Sequence, residues 1–285
     1  MPTTEITQPS APSDAPIGVF DSGLGGLSVL RDIRALLPHE DLLYVADSGA
    51  APYGDRPGEF IESRAGAMTE FLVGQGVKAM VVACNTATAV AVWALRERFA
   101  IPIIAIEPAV KPAAAMSKSG VVGVMATSQT LASENFRRLA EQYGQGVRIV
   151  PQPCPGLVEL VEAGRLEGAD VRAQVAGCVL PLVNDGADTI VLGCTHYPFL
   201  MKEIRAVAGD RVNIIDPAIA VARELQRRLD GAGLLAAAER KGNDRFYTTG
   251  AVGHVESVLS MLWGRHSRVE GVPERFAAPA RPATR

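Results

Sequence analysis

The segment GVKAMVVACNT (76–86) stands against GADTIVLGCTH (186–196), and this pairing decides the fold. In each segment a glycine opens an apolar run, and a cysteine follows that glycine by eight residues, at Cys84 and Cys194. IGVFDS (17–22) matches VGVMAT (122–127), and IIAIEPAV (103–110) matches VNIIDPAI (212–219), with Glu107 and Asp216 as the paired acids. The offsets are 110, 105 and 109 residues, so order and spacing are both kept. Apolar strands of α/β proteins look alike, but that similarity does not account for the matched cysteines. Motifs repeated in order at one period indicate a repeated structural unit.

Between these motifs, short β-branched runs alternate with longer stretches rich in alanine and leucine. That alternation predicts an α/β protein whose parallel sheets are covered on both faces. The repeat divides it into two pseudo-symmetric domains. Ligands of open α/β sheets bind beyond the carboxyl ends of the strands, so two such domains facing each other place the active site in the cleft between them. Both thiols then face one ligand.

Composition narrows the class of partner. The chain of 285 residues has 48% hydrophobic and 21% charged residues and a formal net charge of -3. Nucleic acids and anionic membrane surfaces usually demand a concentrated basic face, so the expected partner is a small molecule. Residues 1–15 carry no basic run followed by an apolar core, and read as a disordered leader rather than a secretory signal. The tail from 271 to 285 reads as equally mobile. No apolar run reaches spanning length. Four sparse cysteines at 84, 154, 178 and 194 suit free thiols in a reducing cytoplasm.

Cys84 and Cys194 each end a strand and precede a polar pair, Asn85-Thr86 or Thr195-His196, where the next helix begins. The N–H groups and dipole of a helix start stabilise a thiolate, and are expected to lower the thiol pKa from its usual ~8.5. One thiolate could then remove the α-proton of an amino acid while the opposite thiol delivers another, inverting the centre. The usual alternative is an electron-sink cofactor bound through a lysine. None of Lys78, Lys111, Lys118, Lys202 and Lys241 lies at a recognisable cofactor site, so neither cofactor nor metal is expected. Asp21 and Ser22 end the first strand on the same rim as Cys84, and His196 stands two residues from Cys194 as its proton partner. Cys178, on an apolar helix, and Cys154, in the turn QPCPG, read as ordinary buried thiols.

The motifs DSGLGGLSV (21–29), ADSGAAPYG (46–54), ACNTAT (83–88) and GCTHYP (193–198) together resemble the cofactor-independent aspartate/glutamate racemases. The likeness runs from about residue 16 to 264 and includes RFYTTG (245–250), similar to the family's closing strand. THYP (195–198) is similar to the glutamate-specific branch. The resemblance implies interconversion of L- and D-glutamate for peptidoglycan synthesis, with Cys84 as base toward the D-enantiomer, aided by Asp21. Cys194 would be base toward the L-enantiomer, aided by His196. It implies substrate contacts from Asp21, Ser22, Tyr53, Gly54, Asn85, Thr86, Thr127, Thr195 and His196, with Thr130 a weaker candidate and Asp47 and Glu159 as further acids near the site. It also implies interleaved domains: 16–107 with 217–270, and 108–216. The family is often dimeric, which leaves a homodimer open.

Two rival readings remain. GLGGLS (23–28) with Asp47 resembles a dinucleotide-binding turn, although Ser28 replaces its third glycine. A two-lobed sensor of small acids would also have a cleft, but would need no thiols.

Overall fold

The computed structural model describes residues 14–277. The expected leader therefore lies outside the described residues up to position 13, and the expected tail from position 278 onward.

Among the described residues ten strands form two sheets. The first sheet holds β1 (Ile17–Asp21), β2 (Leu42–Ala46), β3 (Ala79–Val82) and β4 (Ile103–Ala105). The second holds β5 (Val121–Ala126), β6 (Arg148–Pro153), β7 (Thr189–Gly193) and β8 (Asn213–Ile215), and then β9 (Asp244–Thr248) and β10 (Val269–Gly271) rejoin the first. The orders are β10-β9-β2-β1-β3-β4 and β6-β5-β7-β8, and every pairing is parallel. Counted from its own first strand, each half shows the same order, second-first-third-fourth. The sequence repeat is thus a repeat of topology.

The helices, in chain order, are α1 (Leu27–Leu36), α2 (Gly58–Gly74), α3 (Asn85–Arg98), α4 (Val110–Met116), α5 (Ser128–Ala132) and α6 (Glu134–Tyr143). They continue with α7 (Leu157–Glu162), α8 (Ala169–Asn184), α9 (Met201–Ala208), α10 (Ala218–Gly231) and α11 (Val252–Trp263). All residues of β1, β2, β3 and β7 are buried, as expected of parallel strands covered on both faces. Shortly after α2 and α8 come Gly76 (φ 77°) and Gly186 (φ 88°), left-handed positions that favour glycine. These matched turns aim β3 and β7, and hence Cys84 and Cys194, along equivalent paths.

The chain leaves the first sheet after β4 and returns after β8, where α10 packs against α1 and β4. One apolar cluster runs through both halves, from Val19, Leu24 and Leu30 to Leu160, Leu192 and Leu200. Fully burying each such leucine contributes about 1.5–3 kcal/mol, which holds the halves against each other beneath the cleft.

Two expectations change at the carboxyl end. β9 does not close the sheet, because β10 pairs outside it, Val269 opposite Phe246. The segment from 271 to 277 is also not a loose tail. Gly271 belongs to β10, and Phe276 is buried with its ring 5.6 Å from that of Phe71. Prolines and alanines in the sequence hid this single aromatic anchor. Among the described residues no helix is long and apolar enough to cross a membrane.

Candidate active site

Cys84 is the N-cap of α3, in extended conformation, and its Sγ accepts from Ala87 N–H at 3.4 Å. Cys194 leaves β7 in the matching place and is followed by Thr195, His196 and a 3₁₀ turn at Tyr197–Leu200. Both sulfurs line one cavity. The first half adds Ser22, Tyr53, Gly54, Asn85 and Thr86 to its wall, and the second adds Thr127, Thr195 and His196. The cavity has a volume of about 10 Å³, room for no more than one water. An outer chamber of about 40 Å³ shares Pro52, Gly54, Thr127 and Val158 with it and opens past Asp55 and Glu159. Larger grooves lie elsewhere, such as one of about 510 Å³ beside Trp93 and Arg96, but neither cysteine lines it.

The buried amide of Asn85 has neither its oxygen nor its nitrogen paired among the described residues. An unsatisfied buried amide costs about 1–3 kcal/mol, so a polar ligand in the cavity would relieve it. Beside it the hydroxyls of Thr86, Thr127 and Thr130 form a triangle with sides of 2.9, 3.0 and 3.3 Å. Thr127 also caps α5, and Thr130 stands behind the wall rather than in it.

Behind each sulfur runs a polar relay that ends in a carboxylate. The Cys84 thiol donates to Ser22 Oγ at 3.5 Å, and Ser22 Oγ donates to Asp21 Oδ1 at 3.4 Å. Asp21 is fully buried and stands behind Ser22, not on the cavity wall. It also accepts from Ser22 N–H, Gly26 N–H and the Thr195 hydroxyl. On the other side Cys194 Sγ lies 3.7 Å from His196 Nδ1, and His196 Nε2 lies 2.7 Å from Glu162 Oε1 and 3.2 Å from Gly25 N. Leu24 N–H reaches the same Glu162 oxygen at 2.6 Å.

The electrostatics of the two relays differ. Burial raises the Cys84 pKa, the negative charge of Asp21 raises it further, and its hydrogen bonds with Ala87 and Ser22 only partly offset this. The expected depression by the start of α3 is therefore reversed, and Cys84 rests as a thiol. Burial alone would lower the pKa of His196, but its hydrogen bonds and charge interactions with Cys194 and Glu162 leave it well above the usual 6.5. Asp21 is raised chiefly by burial, against the opposing pull of the His196 charge.

The glycine-rich turn serves this second relay. A side chain at Gly23 would collide with the Glu162 carboxylate, and one at Gly25 with the His196 ring. One at Gly26 would meet Asp21 Cβ at 2.8 Å. Ser28 Oγ lies 2.9 Å from Gly25 O and 3.0 Å from Thr195 O, bridging the halves. The turn is thus filled by protein groups, which removes the dinucleotide reading.

Of the further acids, Asp47 is buried in an internal network. It accepts from Tyr53 Oη at 2.5 Å, from Arg64 Nε at 2.9 Å and Nη2 at 2.7 Å, and from Thr249 Oγ1 at 2.6 Å. Glu159 is exposed on the rim of the outer chamber. The carboxylate at the site is Glu162, one helical turn later, which the sequence reading missed. Both lie on α7, whose entry is set by the left-handed Gly156 (φ 83°), so only the helix phase separates them. Cys154 and Cys178 are buried thiols, although Cys154 also borders the outer chamber.

Comparison with known proteins identifies the family. Residues 17–225 match the model of the Asp/Glu/Hydantoin racemase family. A glutamate racemase of Ectopseudomonas mendocina is 52% identical over 258 residues, covering 90% of this chain and 98% of the relative. Among solved structures, a glutamate racemase isoform of Bacillus anthracis superposes with a TM-score of 0.83 at 36% identity, covering 91% of this chain and 98% of its own. That of Francisella tularensis, in complex with D-glutamate, does so with 0.80 at 30% identity and the same coverage. The chain therefore belongs to the Asp/Glu/Hydantoin racemase family.

Proposed function

We propose that the protein is a cytoplasmic glutamate racemase that inverts the α-carbon between Cys84 and Cys194 without a cofactor, supplying D-glutamate for peptidoglycan. The observation that carries this reading is one small cavity entered by two sulfurs from equivalent strand ends of separate sheets, each backed by its own relay. The glutamate racemases among its relatives support the substrate.

For the L-enantiomer, Cys194 takes the α-proton and the Cys84 thiol returns one to the opposite face. The charged His196 stabilises the negative charge that passes through the site. For the D-enantiomer, Cys84 must first pass its proton through Ser22 Oγ to the Asp21 carboxylate, and the substrate ammonium in the cavity favours that ionisation. Asn85 and the hydroxyls of Thr86, Thr127 and Thr195 hold the substrate's polar ends. Because the cavity is nearly empty of space, the two halves must part to admit it.

Incubation of the purified protein with L-glutamate in deuterated water, without added cofactor, is expected to give α-deuterated D-glutamate. Chiral separation with mass spectrometry reads this out, and an absence of α-deuterium across several pH values would sink the proposal. A second expectation concerns pH. Glu162→Gln removes the carboxylate that helps raise the His196 pKa, so the imidazole should lose its proton at lower pH. The alkaline limb of kcat/KM should move to lower pH, and an unmoved limb would exclude His196 as the titrating group.

A further inference from the structure

We propose that Arg64 and the late segment Pro273–Ala277 position Tyr53 in the active-site wall, making that segment part of the site's framework. The inference rests on the racemase reading above and adds residues that no motif of the sequence singled out.

Arg64 carries a guanidinium with five N–H donors in a rigid fork. Two sides of that fork are committed. Nε and Nη2 donate to the carboxylate of Asp47 at 2.9 and 2.7 Å. Nη2 and Nη1 donate to the backbone carbonyls of Phe276 and Ala277 at 2.9 and 3.1 Å. Asp47, so fixed, accepts from Tyr53 Oη at 2.5 Å. Burial and the neighbouring Asp47 charge push the Tyr53 pKa well up, so the phenol keeps the proton it donates.

The segment that supplies the two carbonyls is itself anchored. Phe276 is 6% exposed and packs edge-on against Phe71, which in turn packs edge-on against Tyr247 at 5.1 Å. Phe276 N–H donates to Pro273 O at 2.8 Å, closing a short turn that presents the carbonyls to Arg64. The 273–277 segment, α2 and the loop after β2 thus meet at the Arg64–Asp47 pair.

At the other end Tyr53 and Gly54 line the cavity that holds both sulfurs. The Gly54 carbonyl accepts from Gln129 N–H at 3.3 Å, and a side chain at Gly54 would meet Thr127 at 3.1 Å. The loop at 52–54 therefore touches the second half across the cleft. Its placement depends on the Tyr53–Asp47 bond on one side and on that close approach on the other. Arg64 touches neither cavity, so it acts through Tyr53 as a positioning residue.

Lysine keeps the charge of Arg64 but cannot hold a carboxylate and two carbonyls together. Arg64→Lys is therefore expected to raise the KM for both enantiomers about five- to tenfold, with kcat changed less than about twofold, since small misplacement of a binding group weakens capture. Tyr53→Phe removes the hydroxyl that reads the Asp47 position and should raise KM similarly. The combined variant should be no worse than Tyr53→Phe alone, because both changes cut one relay. Phe276→Ala, which loosens the carbonyls without touching the fork, should give a weaker form of the same KM effect.

Multiplication of the KM effects in the double variant would overturn the proposal, as would a lowered melting temperature with wild-type KM in Arg64→Lys. If Arg64→Lys fails to fold, a wild-type KM in Phe276→Ala overturns it. A wild-type protein that racemises glutamate while these variants keep wild-type KM defeats the relay alone. A wild-type protein with no racemase activity defeats the functional reading and the relay with it.

Discussion

Cys84→Ser and Cys194→Ser are each expected to lose racemisation by at least about three orders of magnitude, because every turnover in either direction needs one sulfur as base and the other as acid. A serine hydroxyl is a far weaker acid than a thiol, and its shorter bond to Cβ withdraws the reacting atom from the cavity. The double variant should be little worse than either single one, since the two groups act as a unit. The singles should nevertheless differ. With Cys84 replaced, Cys194 can still remove the α-proton of L-glutamate and return a deuteron from the same side, so slow exchange without inversion is expected for that enantiomer only. Cys194→Ser should show the converse with D-glutamate. Cys178→Ser is the control: it places a hydroxyl in an apolar core, at about 1–3 kcal/mol of stability, and should keep most activity. Chiral assay and proton-exchange spectra on the four proteins decide the matter, and full racemase activity in either active-site variant would exclude the two-thiol mechanism.

Gly25→Ala should cost about two orders of magnitude in rate, although it adds one methyl group and changes no charge. That methyl would overlap the His196 ring, which has Glu162 at its far nitrogen and Cys194 at the near one. The ring must tilt away from the sulfur or the turn must lift, and displacement on the order of 1 Å can cost about 10²-fold in rate. Gly177→Ala is a suitable comparison, because it lies within α8 and an added Cβ there has nothing within 4 Å. It should leave kcat unchanged and stabilise the helix by about 0.5–1 kcal/mol. Equal kcat/KM for the two alanine variants would show that the turn does not constrain His196.

The fold was readable because parallel strands buried on both faces leave unbroken apolar runs. Three such runs, LLYVA (42–46), VVGVMA (121–126) and TIVLG (189–193), coincide with β2, β5 and β7 at both ends. The cysteines were readable for a different reason: a repeat keeps its register, so a residue type preserved at matched strand ends stands out. Glu162 was not readable, because choosing between two glutamates one turn apart requires the phase of a six-residue helix. The ordered segment 271–277 was hidden in the same way, its one buried ring set among prolines and alanines. Nor could spacing alone show that the charge of Asp21 and the burial of Cys84 outweigh the helix start, since that balance depends on depth and distance.

The two relays are unlike, a hydroxyl behind Cys84 and an imidazole behind Cys194. Mirror-image substrates have the same free energy in an achiral solvent, so the equilibrium constant between them is one whatever the protein does. Detailed balance then obliges kcat/KM to be equal in the two directions. The asymmetry of the relays can appear only as a matched change in kcat and KM, with the enantiomer that turns over faster also the one captured less tightly.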